Sequence, residues 1–127
     1  MWSKVIQDWT TLQRSAGPTE IVQSEAVWVP ADEIQDAQFL IEVGKIIVSG
    51  TNLYLRMETA PSEDEALFLP LQAPTAVNLA TIGTSTVMPA LAHSVYGPPV
   101  GNWVRWVLES TDSTTWSATF RITMSAI

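Results

Sequence analysis

An all-β chain, folded as an antiparallel two-sheet β-sandwich or jelly roll of seven to nine strands with at most one short helix, is what this sequence predicts. Three observations carry that prediction. Residues Thr115 to Ser125 alternate without exception, Trp116, Ala118, Phe120, Ile122 and Met124 on one side, Ser117, Thr119, Arg121, Thr123 and Ser125 on the other. That period of two is the mark of a strand with one wet face. Serine and threonine number 25, and prolines and glycines break the chain at short intervals, which suits many short strands better than long helices. Finally, 127 residues with 46% hydrophobic and 15% charged side chains suffice for one domain, burying about two thirds of the unfolded surface without disulfides. The chain has no cysteine to form them.

In chain order, residues 1–18 read as an N-terminal segment or arm bearing Trp2 and Trp9. It is too short to form a core alone, so its tryptophans anchor it either on its own sandwich or on a neighbour. Residues 19–127 read as a single β-sandwich domain. Within it, Thr19 to Val29 contains a strand that ends before Pro30. Ala31 to Gln38 reads either as a short helix capped by Asp32, with Ile34, Ala37 and Ile41 on one face, or as an acidic loop. Phe39 to Val48 is rich in β-branched residues and reads as a strand, with Gly44 marking a bulge or bend. Ser49 to Asn52 makes a turn. Leu53, Leu55 and Met57 then alternate with Tyr54, Arg56 and Glu58 as a half-buried strand. Ala60 to Glu65 reads as an exposed loop, and Ala66 to Leu71 as a strand broken at Pro70. Val77 to Ile82 and Leu91 to Tyr96 are weaker strand candidates. Val104, Trp106 and Leu108 alternate with Trp103, Arg105 and Glu109. The short polar stretch Ser110 to Thr114 suggests that this strand and the last one form an antiparallel hairpin. No internal repeat of fixed period is evident.

Charge and motifs narrow the function classes. Six basic against thirteen acidic residues give a net charge of −7, the wrong sign for a nucleic-acid partner. No apolar run reaches the roughly 20 residues that span a bilayer. The start, Met-Trp-Ser-Lys-Val-Ile-Gln-Asp-Trp, lacks the apolar core of a secretory signal, so synthesis in the cytoplasm is expected. His93 is the single histidine, and no Gly-x-Ser-x-Gly motif accompanies it. His93 therefore reads as structural or interfacial, and no catalytic residue, cofactor or metal is expected. The acidic run Glu63-Asp64-Glu65 with nearby Glu58, and likewise Asp32, Glu33 and Asp36, read as solvated charge rather than calcium ligands.

The six tryptophans are the unusual feature. Trp106 and Trp116 lie on inward rows and are core. Trp103 shares an outward row with Arg105 and Glu109, where it stacks on arginine or contacts a sugar or a partner subunit. The candidate interface residues are Trp2, Trp9, Trp103, Arg105, Tyr54 and Arg56.

Two stretches carry a family resemblance. Asn102-Trp103-Val104-Arg105-Trp106-Val107, followed by Thr115-Trp116-Ser117-Ala118-Thr119-Phe120-Arg121-Ile122, resembles the closing hairpin of small β-sandwich virion proteins of tailed bacteriophages. Leu53 to Pro61 is similar to their strand-and-turn "L-x-l-x-T-S-P", with Ala60 where serine is usual. The resemblance implies a non-enzymatic virion structural protein, a capsid decoration (cement) or minor head or tail protein. It also implies major capsid or tail proteins as partners and a homo-oligomer, with a trimer as one form. A carbohydrate-binding module is the rival reading, with Trp103, Tyr54 and Trp28 as a stacking platform and Arg56 or Arg105 as donors.

Overall fold

The computed structural model describes residues 2–14, 19–32, 34, 37–48, 53–71, 77–79, 87–91, 100–110 and 115–126. Ten strands form two antiparallel sheets. Sheet A runs in the order β1 (Trp2–Arg14), β10 (Trp116–Ala126), β4 (Ala37–Val48), β8 (Val87–Leu91). Sheet B is centred on β9 (Trp103–Ser110) paired with β5 (Leu53–Ala60). The outer edge of β9 is shared by β2 (Thr19–Val22) and β3 (Val29–Pro30), and that of β5 by β6 (Leu69–Pro70) and β7 (Val77–Asn78). The count exceeds the expected seven to nine because β3, β6 and β7 are two-residue bridges with no periodicity to read.

The core lies between the sheets where the alternation puts it. Trp116, Ala118, Phe120, Ile122 and Met124 are all buried, each at most 2% exposed. They meet Leu53, Leu55, Met57, Val104, Trp106 and Leu108 from sheet B. Burying each large side chain is worth about 2 kcal/mol before ordering entropy is subtracted. Gly44 is the extra residue of a bulge: Thr119 pairs with Lys45 while Phe120 pairs with Val43. The bulge reverses the phase of β4, so Phe39, Ile41 and Val43 point inward before it and Ile46 after it.

Several expectations are corrected. β9 and β10 are not a hairpin. They belong to different sheets and face each other across the core, where the Trp106 and Phe120 rings meet edge-on at 5.4 Å and 89°. Alternation reveals that a strand has one buried face but not which strand lies beside it. The helix considered from Ala31 is not formed as such: Ala37 and Gln38 already pair in β4, although Ile34, Ala37 and Ile41 are buried as expected. Thr19 to Val29 contains a strand as expected, β2, but it ends at Val22; a single-turn 3-10 helix follows at Glu25–Val27, and Pro30 lies inside β3. A matching turn at Glu65–Leu67 replaces the first half of the strand expected from Ala66, and Pro70 lies inside β6. Both prolines sit on sheet-edge strands, where a missing N–H costs no ladder bond. Ala60 is buried rather than part of the exposed loop, which begins at Pro61. Strand β8 went unread, and of the stretch Leu91 to Tyr96 only Leu91 belongs to it; residues 92–96 lie outside the described residues. So do the turn 49–52 and residues 80–82.

The N-terminal segment is a full edge strand. β1 runs along β10 from Trp2↔Ala126 to Arg14↔Trp116, with irregularities between Val5 and Thr10. It is also tied to sheet B. Buried Gln23 donates from Nε2 to the Ile6 and Val27 carbonyls and accepts from the Trp106 backbone N–H, and the Trp106 indole N–H donates to Gln7 Oε1 at 3.0 Å. Each polar group of Gln23 is thus satisfied, which makes its burial tolerable.

Candidate functional site

On the outside of sheet B, the middle of the outward row is sealed. Arg105 and Glu58 are cross-strand partners, 6% and 5% exposed. Arg105 donates from Nε and Nη2 to Glu58 Oε1 at 2.9 Å each. Trp28 and Phe68 close over the pair, their rings 4.8 Å apart and edge-on. The guanidinium carbon of Arg105 lies 4.0 Å from the Phe68 ring and 5.1 Å from that of Trp28. Arg105 Nη1 has no hydrogen-bond acceptor, and the aromatic faces supply the electrostatic attraction instead. A charge is buried here because it is paired and covered. Beside it, Arg56 contacts Glu20, Glu58 and Glu109 at 3.1, 3.0 and 3.6 Å. Burial opposes its charge, but bonds to Glu58 and Glu20 outweigh that and raise its pKa above the ordinary value.

The cover comes from two copies of one motif that the sequence reading passed over. Glu25-Ala26-Val27-Trp28-Val29-Pro30 matches Glu65-Ala66-Leu67-Phe68-Leu69-Pro70 at a separation of 40 residues. Each forms a single-turn 3-10 helix, then an aromatic, then a two-residue strand ending in proline. The surrounding bonds repeat too. Ala31 N donates to the Asn102 carbonyl as Leu71 N does to that of Met57, at 2.7 and 3.0 Å. Val29↔Val104 and Pro30↔Trp103 correspond to Leu69↔Thr59 and Pro70↔Glu58. These relations describe a pseudo-two-fold axis through the Thr59↔Val104 pair of sheet B. Outside the aromatic pair, Val27 and Leu67 project 53% and 43% exposed, beside exposed Glu25, Glu63 and Glu65.

The outside of sheet A carries the same chemistry uncovered. Arg121 and Glu42 are cross-strand partners, with Nη2 and Nε of Arg121 both donating to Glu42 Oε1 at 2.7 and 3.0 Å. The Trp9 ring stacks on Arg121, its centroid 5.1 Å from the guanidinium carbon, and is 47% exposed. A Cβ placed on Gly44 would stand 3.1 Å from the same ring. Trp9 therefore starts on β1 and leans across β10 toward β4, two strand spacings or about 10 Å away. A side chain leaning that way lies along the sheet, not upright. Around it on this face are Val5, Leu40 and Ile47 (49%, 36% and 54% exposed) and the Thr11–Thr119 hydroxyl pair at 2.8 Å. One end opens into a groove of about 520 Å³ lined by Gln13, Arg14, Ile47, Thr115, Trp116 and Ser117.

The predicted interface residues are therefore divided. Trp9 lies on the face of sheet A. Trp2 lies in β1, its side chain outside the described residues. Trp103, Arg105, Tyr54 and Arg56 lie on sheet B, where Trp103 is half-buried against Trp28, Ala60 and Phe68. The stacking platform of Trp103, Tyr54 and Trp28 is corrected, since Trp28 is 7% exposed and Arg105 is consumed by Glu58. Trp103 also does not stack on Arg105 as expected; Trp28 and Phe68 do. Glu58 is separated from the acidic run, in which Asp64 accepts from Ala66 N to cap the second turn. Asp32 is exposed, and Glu33, Asp36 and His93 lie outside the described residues. Among the described residues no group of three or more His, Asp or Glu is placed to hold a metal, and no helix is long and apolar enough to cross a membrane.

No protein-family model matches the chain, and no curated protein matches it. Among solved structures, one chain in the structure of infectious bursal disease virus, Gx strain, aligns with 98% of this chain at 12% identity and a TM-score of 0.44. This chain spans 31% of that chain, and no residue role is carried over from it.

Proposed function

We propose that this chain is a non-enzymatic structural protein of a virion, a capsid decoration (cement) or minor head or tail protein, that docks on a protein lattice and self-associates. One observation carries the reading: Trp9 is laid flat and half-exposed on a sheet face beside three further exposed aliphatic side chains. A tryptophan fixed in that posture, with a hydrogen-bonded arginine beneath it, suits contact with another surface, since interface anchors are enriched in tryptophan and arginine. The sequence resemblance to small virion sandwiches agrees with it. The residues gathered on both outer faces are paired or stacked with one another, a chemistry of adhesion. The test is an antibody raised against the chain and applied to gradient-purified particles of the virus that encodes it. Labelling of heads or tails, with the purified chain rebinding stripped particles, is the expected result. Absence from particles, with the chain found only in infected-cell extract, refutes it.

A further inference from the structure

The two outer faces present the same stack, a tryptophan over an arginine paired across the strands with a glutamate, and only one of them is closed. On sheet B the lid is a turn of the chain itself, the one bearing Phe68. On sheet A no described residue covers Trp9. We infer that a second copy of this chain covers the outer face of sheet A with its paired turns at Glu25–Val27 and Glu65–Leu67, in a head-to-tail contact. The inference rests on the self-association proposed above.

Charge chooses this occupant. The charged residues whose pairing places them on the outward row of sheet A are Lys45, Arg121 and Glu42, a net +1 in a chain of net charge −7, with Arg121 and Glu42 paired to each other and Lys45 beside them. Two molecules of charge −7 repel on average, and a sheet A face meeting a like face sets positive against positive. A sheet A face meeting the paired turns sets Lys45 and its rim against Glu25, Glu63 and Glu65, and gives Val27 and Leu67 an apolar floor in Trp9, Val5 and Leu40. Size agrees. Three strands of about 11 residues present roughly 500 Å² of flat area, before side-chain relief and β8 are added. That approaches the roughly 600 Å² per partner at the lower limit of specific interfaces. The two surfaces lie on opposite sides of the sandwich, so the contact is heterologous: it propagates from copy to copy unless a rotation closes it into a ring.

Analytical ultracentrifugation of the full chain tests this with two surface charge reversals, Lys45→Glu and Glu65→Lys, each checked by circular dichroism for an unchanged fold. The wild type should form species larger than a dimer at low salt that dissociate at about 1 M salt, where screening acts within about 3 Å. Each variant alone should associate at least tenfold more weakly, by roughly the effect of an unfavourable interface charge. Mixed in equal amounts, they should recover association into species larger than a dimer, because the face that keeps Lys45 meets the turns that keep Glu65 and the two reversed surfaces carry opposite charges. Trp9→Ala should weaken wild-type association about thirtyfold, as an interface anchor does. Association that Trp9→Ala lowers and Glu65→Lys leaves unchanged would mean a face-to-face dimer and overturns the head-to-tail contact while leaving self-association standing. A wild type that stays monomeric at every concentration removes self-association itself, and the inference with it. Glycan binding by calorimetry that disappears in Trp9→Ala, with association untouched, assigns the face to a sugar and overturns the inference.

Discussion

Sheet B and sheet A place a tryptophan, an arginine and a glutamate in nearly the same relation, and the two sets differ chiefly in water. Arg105 is 6% exposed beneath Trp28 and Phe68, whereas the ring over Arg121 is 47% exposed. In the closed set, desolvation makes the pair indispensable once formed: neither charge tolerates losing the other. In the open set, water and salt compensate either partner, so the pair contributes little to folding and stays available for contact. The same side chains are a closed structural clamp on one sheet and an open, half-exposed stack on the other, and the duplicated turn decides which.

Mutations can break or sharpen that contrast. Arg105→Ala should have the largest effect, about 3 kcal/mol of lost stability in urea denaturation, because Glu58 Oε1 loses its buried partner and the carboxylate keeps only Arg56, on Oε2. Replacing both partners with apolar residues, Arg105→Met with Glu58→Leu, should restore most of that loss. A double variant as unstable as the single one would show that packing, not the stranded charge, governs the site. Gly101→Ala comes next. Its Cβ would sit 2.6 Å from the Ala60 carbonyl oxygen, a backbone atom that cannot step aside. A loss of about 1–3 kcal/mol is expected, as for overpacking elsewhere. At the open face, the one tight neighbour of Gly44→Ala is the movable Trp9 ring, with the Thr119 methyl at an ordinary 3.5 Å. Stability should change by less than about 1 kcal/mol, while acrylamide quenching of Trp9, taken as the difference from Trp9→Phe, should rise as the ring lifts. Arg121→Gln should be the mildest, about 0.2–1 kcal/mol in thermal or urea unfolding. A cost matching that of Arg105→Ala would erase the distinction between the two sheets.

How much of this was legible in the residues depended on the range of the interaction. The inward rows of β5, β9 and β10 and the bulge at Gly44 could be read directly, because both follow from local alternation and from glycine's place in a β-branched run. The pairing of β9 was misread as a hairpin with β10, since a polar five-residue link serves equally well between sheets. The sealing of Arg105 was not legible, because its cover arrives from Trp28 and Phe68, roughly 80 and 40 positions away along a chain whose strands alternate at a period of two. A signal for that cover was present, the repeated Glu-Ala-aliphatic-aromatic-aliphatic-Pro hexapeptide, but two copies do not make a period.

By itself, then, the sequence determined the class of fold and the identity of its inner faces, since burial of alternate residues is written strand by strand. Only the tertiary structure decided which strands are neighbours and which arginine is sealed. It also decided that Trp9 lies over Gly44 on a face left open. Those outcomes depend on contacts between distant segments, and a charged or aromatic side chain acquires its role from what the fold brings to cover it.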